Sequence, residues 1–361
     1  MREEFQDLAI ALAWPQQTAR GDEKWMRFLK GLKIIEDLNF RVGHAAILLL
    51  QRKTGRVVYY DFGRYICPRG MGRARSIDFD PNLVLRTTAI WRDGKLDNLQ
   101  SILEELHDIR QYTHGEGVIY AGIAEGISFE KGCEYADSVV NQGLIPYGAF
   151  ALNNNNCSRY VAQIMGKAMS NVDSRRRRLL FPNTIKPSPI SNVVYANEKN
   201  EVYIYENDKL SSVFLKPRKA LSFLVKQLVQ SFRKDNANTI AEDHVVGELL
   251  EPERPSCLPG DAQWLGGIGE GAWLCLEVIE GYYLITKFDK IGEKLYQVKA
   301  RCNRIINSND RYSFSYNFSV NKHILVYQDF HVTLDTCEVL FIKNNYKRDE
   351  IKYFKVQNSH G

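Results

Sequence analysis

Residues 151–168 read ALNNNNCSRYVAQIMGKA. The four asparagines Asn153 to Asn156 favour a loop and then a helix cap, because a short amide side chain bonds nearby backbone better than it supports helix. Beyond them Tyr160, Val161, Ile164, Met165 and Ala168 recur at helical spacing. The pattern predicts an amphipathic helix from about Cys157 to Met169, capped by Asn156. Cys157 then sits in the first turn. Unpaired backbone N–H groups and the helix dipole there favour a thiolate over a thiol. The same groups can receive an oxyanion. Two readings of such a cysteine compete: a nucleophile, or the small buried hydrophobe that most cysteines are.

A thiolate nucleophile needs a base, and His44 is the best placed of the seven histidines. It opens the apolar stretch VGHAAILLLQ (42–51), which reads as a strand followed across a short turn by a second strand, RVVYYDFG (56–63). A histidine on a buried strand is either hydrogen-bonded within the core or functional. With a four-residue loop (52–55), Gln51 pairs with Arg56 and Ala46 lies opposite Asp61. His44 and Asp61 are then diagonal neighbours on one face. A two-residue turn at Thr54-Gly55 keeps the face but separates them, and a three-residue turn presents Tyr60 instead.

These residues resemble the circularly permuted branch of the papain-like, NlpC-type cysteine hydrolases. The resemblance rests on a strand opening G-H-A-A-I, a polar residue on the next strand, and N-C-S-R-Y-V opening a helix far downstream, over residues 40–170. It implies His44 as general base, Cys157 as nucleophile and, with more variation in the superfamily, Asp61 as the third group. The whole chain also resembles a bacterial family of papain-like proteins, chiefly from Bacteroidota, without an implied substrate. Asn156, beside the nucleophile, is a candidate helper at the oxyanion. Tyr147, in GLIPYGAF (143–150), is a candidate for lining the cleft, with core packing as its other reading. Arg64, Arg69, Arg73 and Arg75 follow the second strand and read either as a flexible loop for an anionic substrate group, with Arg64 nearest, or as a solvated loop.

The rest of the chain sets bounds. Its 361 residues are 25% charged and 44% hydrophobic, an ordinary globular composition. The longest apolar run, Leu8 to Trp14, is too short to span a membrane and has an acidic leader, so a cytoplasmic protein is expected. The other six cysteines form no CxxC pair and are expected as reduced thiols. No metal motif such as HExxH occurs, and no metal or cofactor is expected. The net charge of +5 is concentrated in the run Arg175 to Arg178, so nucleic acid is not an expected partner. GGIGEGAW (266–273) carries the letters of a nucleotide loop but lies among short β runs with no helix after it, so it reads as a turn.

Helices are further expected at 22–38, Asn98 to Tyr112, Ser128 to Gln142 and from Pro217. A hairpin is expected within 192–215, and six short β runs from Trp273 to Lys343 suggest a small barrel or sandwich. The expected architecture is α+β: a papain-like domain with an antiparallel sheet and packed helices (1–180), a linker with a hairpin and a helix (181–260), and an all-β C-terminal domain (261–361). The expected function is a cysteine hydrolase or acyltransferase acting on an amide, peptide or ester bond, its partner a peptide, cell-wall or lipid acyl substrate. The alternative is a non-catalytic binding or scaffold protein that retains the fold.

Overall fold

The computed structural model describes residues 5–17, 19–20, 39–40, 43–148, 153–182, 186–216, 222, 248–279, 281–302, 304–306 and 311–343. The helices expected at 22–38 and from Pro217 lie outside the described residues, Ser222 apart. The chain is α+β and packs as two compact units. One comprises Met1–Gly63, Ala74–Ser76 and Leu83–His244; the other comprises Arg64–Arg73, Ile77–Asn82 and Val245–Gly361.

In the first unit the strands are β1 (Asp7–Trp14), β4 (His44–Leu50), β5 (Val57–Gly63), the end of β6 (Met71–Arg75) from Ala74 onward, β9 (Ile119–Ile127), β10 (Ile145–Pro146), β11 (Glu201–Glu206) and β12 (Lys209–Phe214). They form one sheet in the order β10-β6-β5-β4-β1-β9-β11-β12, antiparallel from β5 through β12. Two short ribbons pair β2 (Ala19–Arg20) with β3 (Asn39–Phe40) and β7 (Trp91–Arg92) with β8 (Lys95–Leu96).

The apolar run Leu8 to Trp14, unremarked as a strand in the sequence, is the central strand β1. Its alternation explains the place. Ala9, Ala11 and Ala13 face one apolar cluster, and Leu8, Ile10, Leu12 and Trp14 face the other. A strand covered on both faces reads as a continuous apolar run, without the polar alternation that marks a half-exposed strand. The alanine face leaves room for helices, and the large face packs against α1 (Leu99–Asp108). After α1 comes the single turn α2 (Arg110–Thr113).

Two helix predictions hold at their ends. The helix α3 (Phe129–Gln142) has Ser128 as its cap, accepting from Lys131 N–H at 3.2 Å, and Gly143 just beyond it at φ 70. The helix α4 (Cys157–Ala168) has Asn156 as its cap, accepting from Arg159 N–H at 2.9 Å.

The arginine run is helical as well: α5 (Ser174–Leu180), capped by Asp173. Its Arg175 is buried. Nη1 donates to the carbonyl of Ala196 at 3.1 Å, and Nη2 donates to the carbonyl of Glu125 at 2.7 Å and to Asp173 at 2.6 Å. Residues 192–195, expected within a hairpin, instead close the buried helix α6 (Pro189–Tyr195), and the hairpin is β11–β12. Ser188 caps α6 and Pro189 starts it, which is where proline is tolerated in a helix. This helix lies on β9 so closely that a Cβ on Gly122 would stand 2.1 Å from the carbonyl oxygen of Val193.

The second unit holds β13 (Gln263–Leu265), β14 (Ala272–Ile279), β15 (Tyr282–Phe288), β16 (Lys294–Arg301), β17 (Tyr312–Phe318), β18 (Lys322–Tyr327) and β19 (Phe330–Ile342). Their order is β13-β14-β15-β16-β19-β18-β17. The two end strands meet through the Gln263 side chain, which donates to the carbonyl of Tyr312 at 3.0 Å and accepts from Phe314 N–H at 2.9 Å. The result is a nearly closed, barrel-like domain rather than a sandwich. The expected run HILVYQDFHV is a hairpin: Gln328 and Asp329 both take positive φ, 47 and 66, and turn β18 back into β19. Of the glycine-rich stretch 266–273, expected as a turn, residues 266–271 lead into β14 and the last two, Ala272 and Trp273, begin it.

Candidate active site

The site is built at the start of β4 and the start of α4. In the β4–β5 hairpin Gln51 N–H donates to the carbonyl of Arg56 at 2.9 Å, and Ala46 pairs with Asp61. The four-residue loop is therefore the one that forms. Gly55 takes φ +72 in that loop, and a Cβ there would meet the carbonyl of Ala89 at 2.8 Å, so the turn needs glycine on both counts. The register puts His44 and Asp61 diagonally on one face, and His44 Nε2 lies 3.4 Å from Asp61 Oδ2. Asp61 is fully buried.

Cys157 is the first residue of α4, half-buried, and makes a hydrogen bond with the His44 side chain. The backbone N–H of Ala45, next along β4, also donates toward its sulfur. Ser158 Oγ lies 3.8 Å from Sγ. The Ser158 backbone is fixed in turn, because its carbonyl accepts from the buried Asn192 of α6 at 2.8 Å. Asn156 commits its side-chain oxygen to the cap. The N–H groups of Cys157 and Ser158, in the first turn, have no intrahelical acceptor by construction. They are the donors available to an oxyanion at the sulfur.

Around this core stand groups that the sequence reading either leaves out, Trp14 and Tyr59, or places elsewhere, Arg75. Trp14 pairs with His44 across β1–β4, and its ring stacks on the imidazole with centroids 5.6 Å apart and planes 24° apart. Tyr59 OH donates to Asp61 Oδ2 at 3.0 Å. Arg75 grips Asp61 with two bonds, Nε to Oδ1 at 3.0 Å and Nη2 to Oδ2 at 2.6 Å, and both side chains are wholly buried. The expectation of a flexible, anion-binding arginine loop therefore fails for two of its members. Arg75 lies on β6 inside the first unit. Arg73 is buried in the second unit, stacked on Phe79 and Phe318 and donating to the carbonyl of Tyr316. Arg69 is exposed, and Arg64 is half-buried in the second unit, its carbonyl accepting from Gly269 N–H at 2.9 Å. Tyr147 is half-buried and stacks on Phe62, with ring centroids 6.1 Å apart. In the sequence Arg75 reads only as one of four loop arginines, whereas the structure places it on β6.

The electrostatics follow from these contacts. Burial alone would lower the His44 pKa, but the hydrogen bonds to Asp61 and Cys157 outweigh it and raise it to about 9. Burial would raise Cys157, yet its hydrogen bond to His44 and the charge of His44 bring it below the ordinary thiol value. Burial would raise Asp61 too, but the Arg75 charge and the His44 bond hold it well below the carboxylate range. The arrangement therefore favours a thiolate beside an imidazolium, with an ionised carboxylate behind. Cys67 and Cys133 show the contrast: burial pushes their thiols up, to about 11 and about 12. Among the described residues no group of three or more His, Cys, Asp or Glu side chains is arranged to hold a metal ion. No described helix is long and apolar enough to cross a membrane.

Residues 9–174 match the family model of TseH-like type VI secretion system effectors. That TseH-like region contains β1 from Ala9 onward and all of β4, β5 and α4, and with them Trp14, His44, Asp61, Arg75 and Cys157. Residues 262–337 match a second family model, the DUF6695 C-terminal domain, which covers most of the barrel-like strands. Among solved structures, the crystal structure of the type VI secretion system effector TseH is similar to this chain at 18% identity, covering 57% of this chain and 97% of that one, with a TM-score of 0.38. No curated protein matches the chain.

Proposed function

We propose that the TseH-like region is a cysteine hydrolase or acyltransferase that uses Cys157 as nucleophile, His44 as general acid and base, and Asp61 to hold the imidazole. One observation carries this reading: a cysteine at a helix N-terminus is hydrogen-bonded to a histidine that is itself paired with a buried carboxylate. The Cys157 thiolate attacks the acyl carbon, and the oxygen takes the negative charge facing the first-turn N–H groups of α4. The intermediate collapses, the bond to the leaving amine or alkoxide breaks, and imidazolium His44 gives that group its proton. A thioester remains on Cys157. His44, now neutral, takes a proton from water or another acceptor as it attacks, and the thiolate leaves. The substrate class proposed is an amide, peptide or ester, including peptide, cell-wall and lipid acyl groups. The match to type VI effectors supports a hydrolase of this kind.

The test is labelling with a broad thiol electrophile at neutral pH, followed by peptide mass spectrometry. Cys157 is expected to react well ahead of Cys133 and Cys302, and His44→Ala is expected to remove that preference. Labelling of Cys157 no faster than the others would refute the reading and leave the scaffold alternative. Turnover of a panel of amide, peptide and ester substrates that vanishes in Cys157→Ala would then name the bond.

A further inference from the structure

We propose that Arg75 is a positioning residue of this same site. By clamping Asp61 it closes a line of alternating charges, Cys157, His44, Asp61 and Arg75, whose net charge is zero when the first two form a thiolate and an imidazolium. The inference rests on the reading of Cys157 as nucleophile and extends it to a residue that touches neither the sulfur nor a substrate.

The argument begins with burial. Asp61 and Arg75 are both fully buried, and His44 is nearly so. A buried cluster carrying a net charge is costly, and it avoids the cost by taking up or losing a proton. Thiolate, imidazolium and carboxylate together carry one negative charge. Without a further cation, the cheapest neutral form returns a proton to Cys157 and leaves the His44–Asp61 pair. Arg75 supplies the missing charge at 2.6 Å, and because guanidinium is not deprotonated in proteins it does so at every working pH.

The geometry adds orientation to charge. The two parallel bonds from Nε and Nη2 fix the plane of the carboxylate, and Tyr59 OH gives Oδ2 a further donor at 3.0 Å. Oδ2 is also the atom that faces His44 Nε2. Among the described residues, the titratable and charged groups that face Asp61 include His44 from β4, Tyr59 from β5, Arg75 from β6 and, at longer range, Tyr160 from α4. Those facing Cys157 are His44 and the hydroxyl of Ser158. Of these, only Arg75 and His44 carry positive charge.

The experiment is the pH profile of Cys157 alkylation by iodoacetamide in the full chain, for wild type, Arg75→Gln and Arg75→Lys, with folding checked by circular dichroism. Glutamine still donates to Asp61 but carries no charge, so its acid limb should move up by at least one pH unit, with labelling at least tenfold slower at any pH below that limb. Lysine keeps the charge, and its limb should stay within about half a unit of wild type. A merely structural role would lower melting temperature without moving the limb. An unchanged limb in folded Arg75→Gln overturns the proposal. Should that variant not fold, a full-unit displacement in Arg75→Lys overturns it instead, because the charge is still present. Failure of wild-type Cys157 to label selectively would sink the hydrolase reading and this proposal together. Selective wild-type labelling with an indifferent Arg75 would sink the proposal alone.

Discussion

Asp61→Asn is the substitution whose outcome the site fixes most tightly. It preserves shape and removes the charge that raises His44. Burial opposes protonation of that imidazole, and the Asp61 bond is the largest influence favouring it. Without Asp61, the His44 pKa should drop from about 9 to its ordinary 6.5 or below. The difference corresponds to about 3 kcal/mol of lost stabilisation of the imidazolium. At pH 8 the protonated fraction should then drop from about nine-tenths to about 3% or less, roughly thirty-fold. A general acid depleted in this way, with its ring no longer held, should slow turnover by about 10²–10⁴. The direct assay is an NMR titration of the His44 ring, assigned by its disappearance in His44→Gln. The same variant leaves Arg75 without its counter-ion at a cost of about 3–5 kcal/mol, so the titration belongs well below the melting temperature. His44 still titrating near 9 in folded Asp61→Asn would refute the reasoning, since the shift would then come from Cys157 alone.

Three further outcomes follow from other contacts. Arg175→Met should destabilise the chain by about 3 kcal/mol or more, because it strips the donor from the carbonyls of Ala196 and Glu125, while exposed Arg177→Ala should change stability by less than about 0.5 kcal/mol; urea denaturation separates the two. Gly122→Ala should cost about 2–3 kcal/mol or more, read as a lowered melting temperature, since its Cβ would meet the Val193 carbonyl at 2.1 Å and one backbone must move. His323 is buried, bonded through Nε2 to Tyr296 OH at 2.9 Å, and burial lowers its pKa from 6.5 to about 3. The unfolded chain therefore binds a proton below pH 6.5 that the folded chain refuses until about pH 3. This group's contribution to stability is full above 6.5 and falls by about 1.4 kcal/mol per pH unit below it. His323→Phe should flatten that acid slope in urea titrations.

Much of the site was legible because its parts are local. A helix cap, an N-terminal cysteine and a hairpin face are each written within a dozen residues. The caps Ser128 and Asn156, the start of α4 at Cys157 and the pairing of Ala46 with Asp61 follow from such patterns. The errors share a cause as well. Leu8 to Trp14 lacks the alternation of a half-exposed strand because both its faces are covered. The arginines at 73 and 75 read as a loop, and nothing near them or Arg175 in sequence announces the carboxylates and carbonyls they meet. Residues 192–195 look like strand by their β-branched side chains, yet burial on β9 and the Ser188 cap make them helix.

The sequence by itself determined which groups stand ready for chemistry: a cysteine beginning a helix, a histidine beginning a strand, and an aspartate in register beside it. Tertiary structure decided what those groups become. Strand order sets β4 between β5 and β1, so that Asp61 flanks His44 from one side and Trp14 from the other. It also sets β6 beside β5, so that Arg75 reaches Asp61 from beyond. Propensity and periodicity act between neighbours in the chain, whereas the balance of buried charge depends on neighbours in space. The guanidinium that balances buried Asp61 therefore comes from a residue that the sequence alone would have placed on a loop.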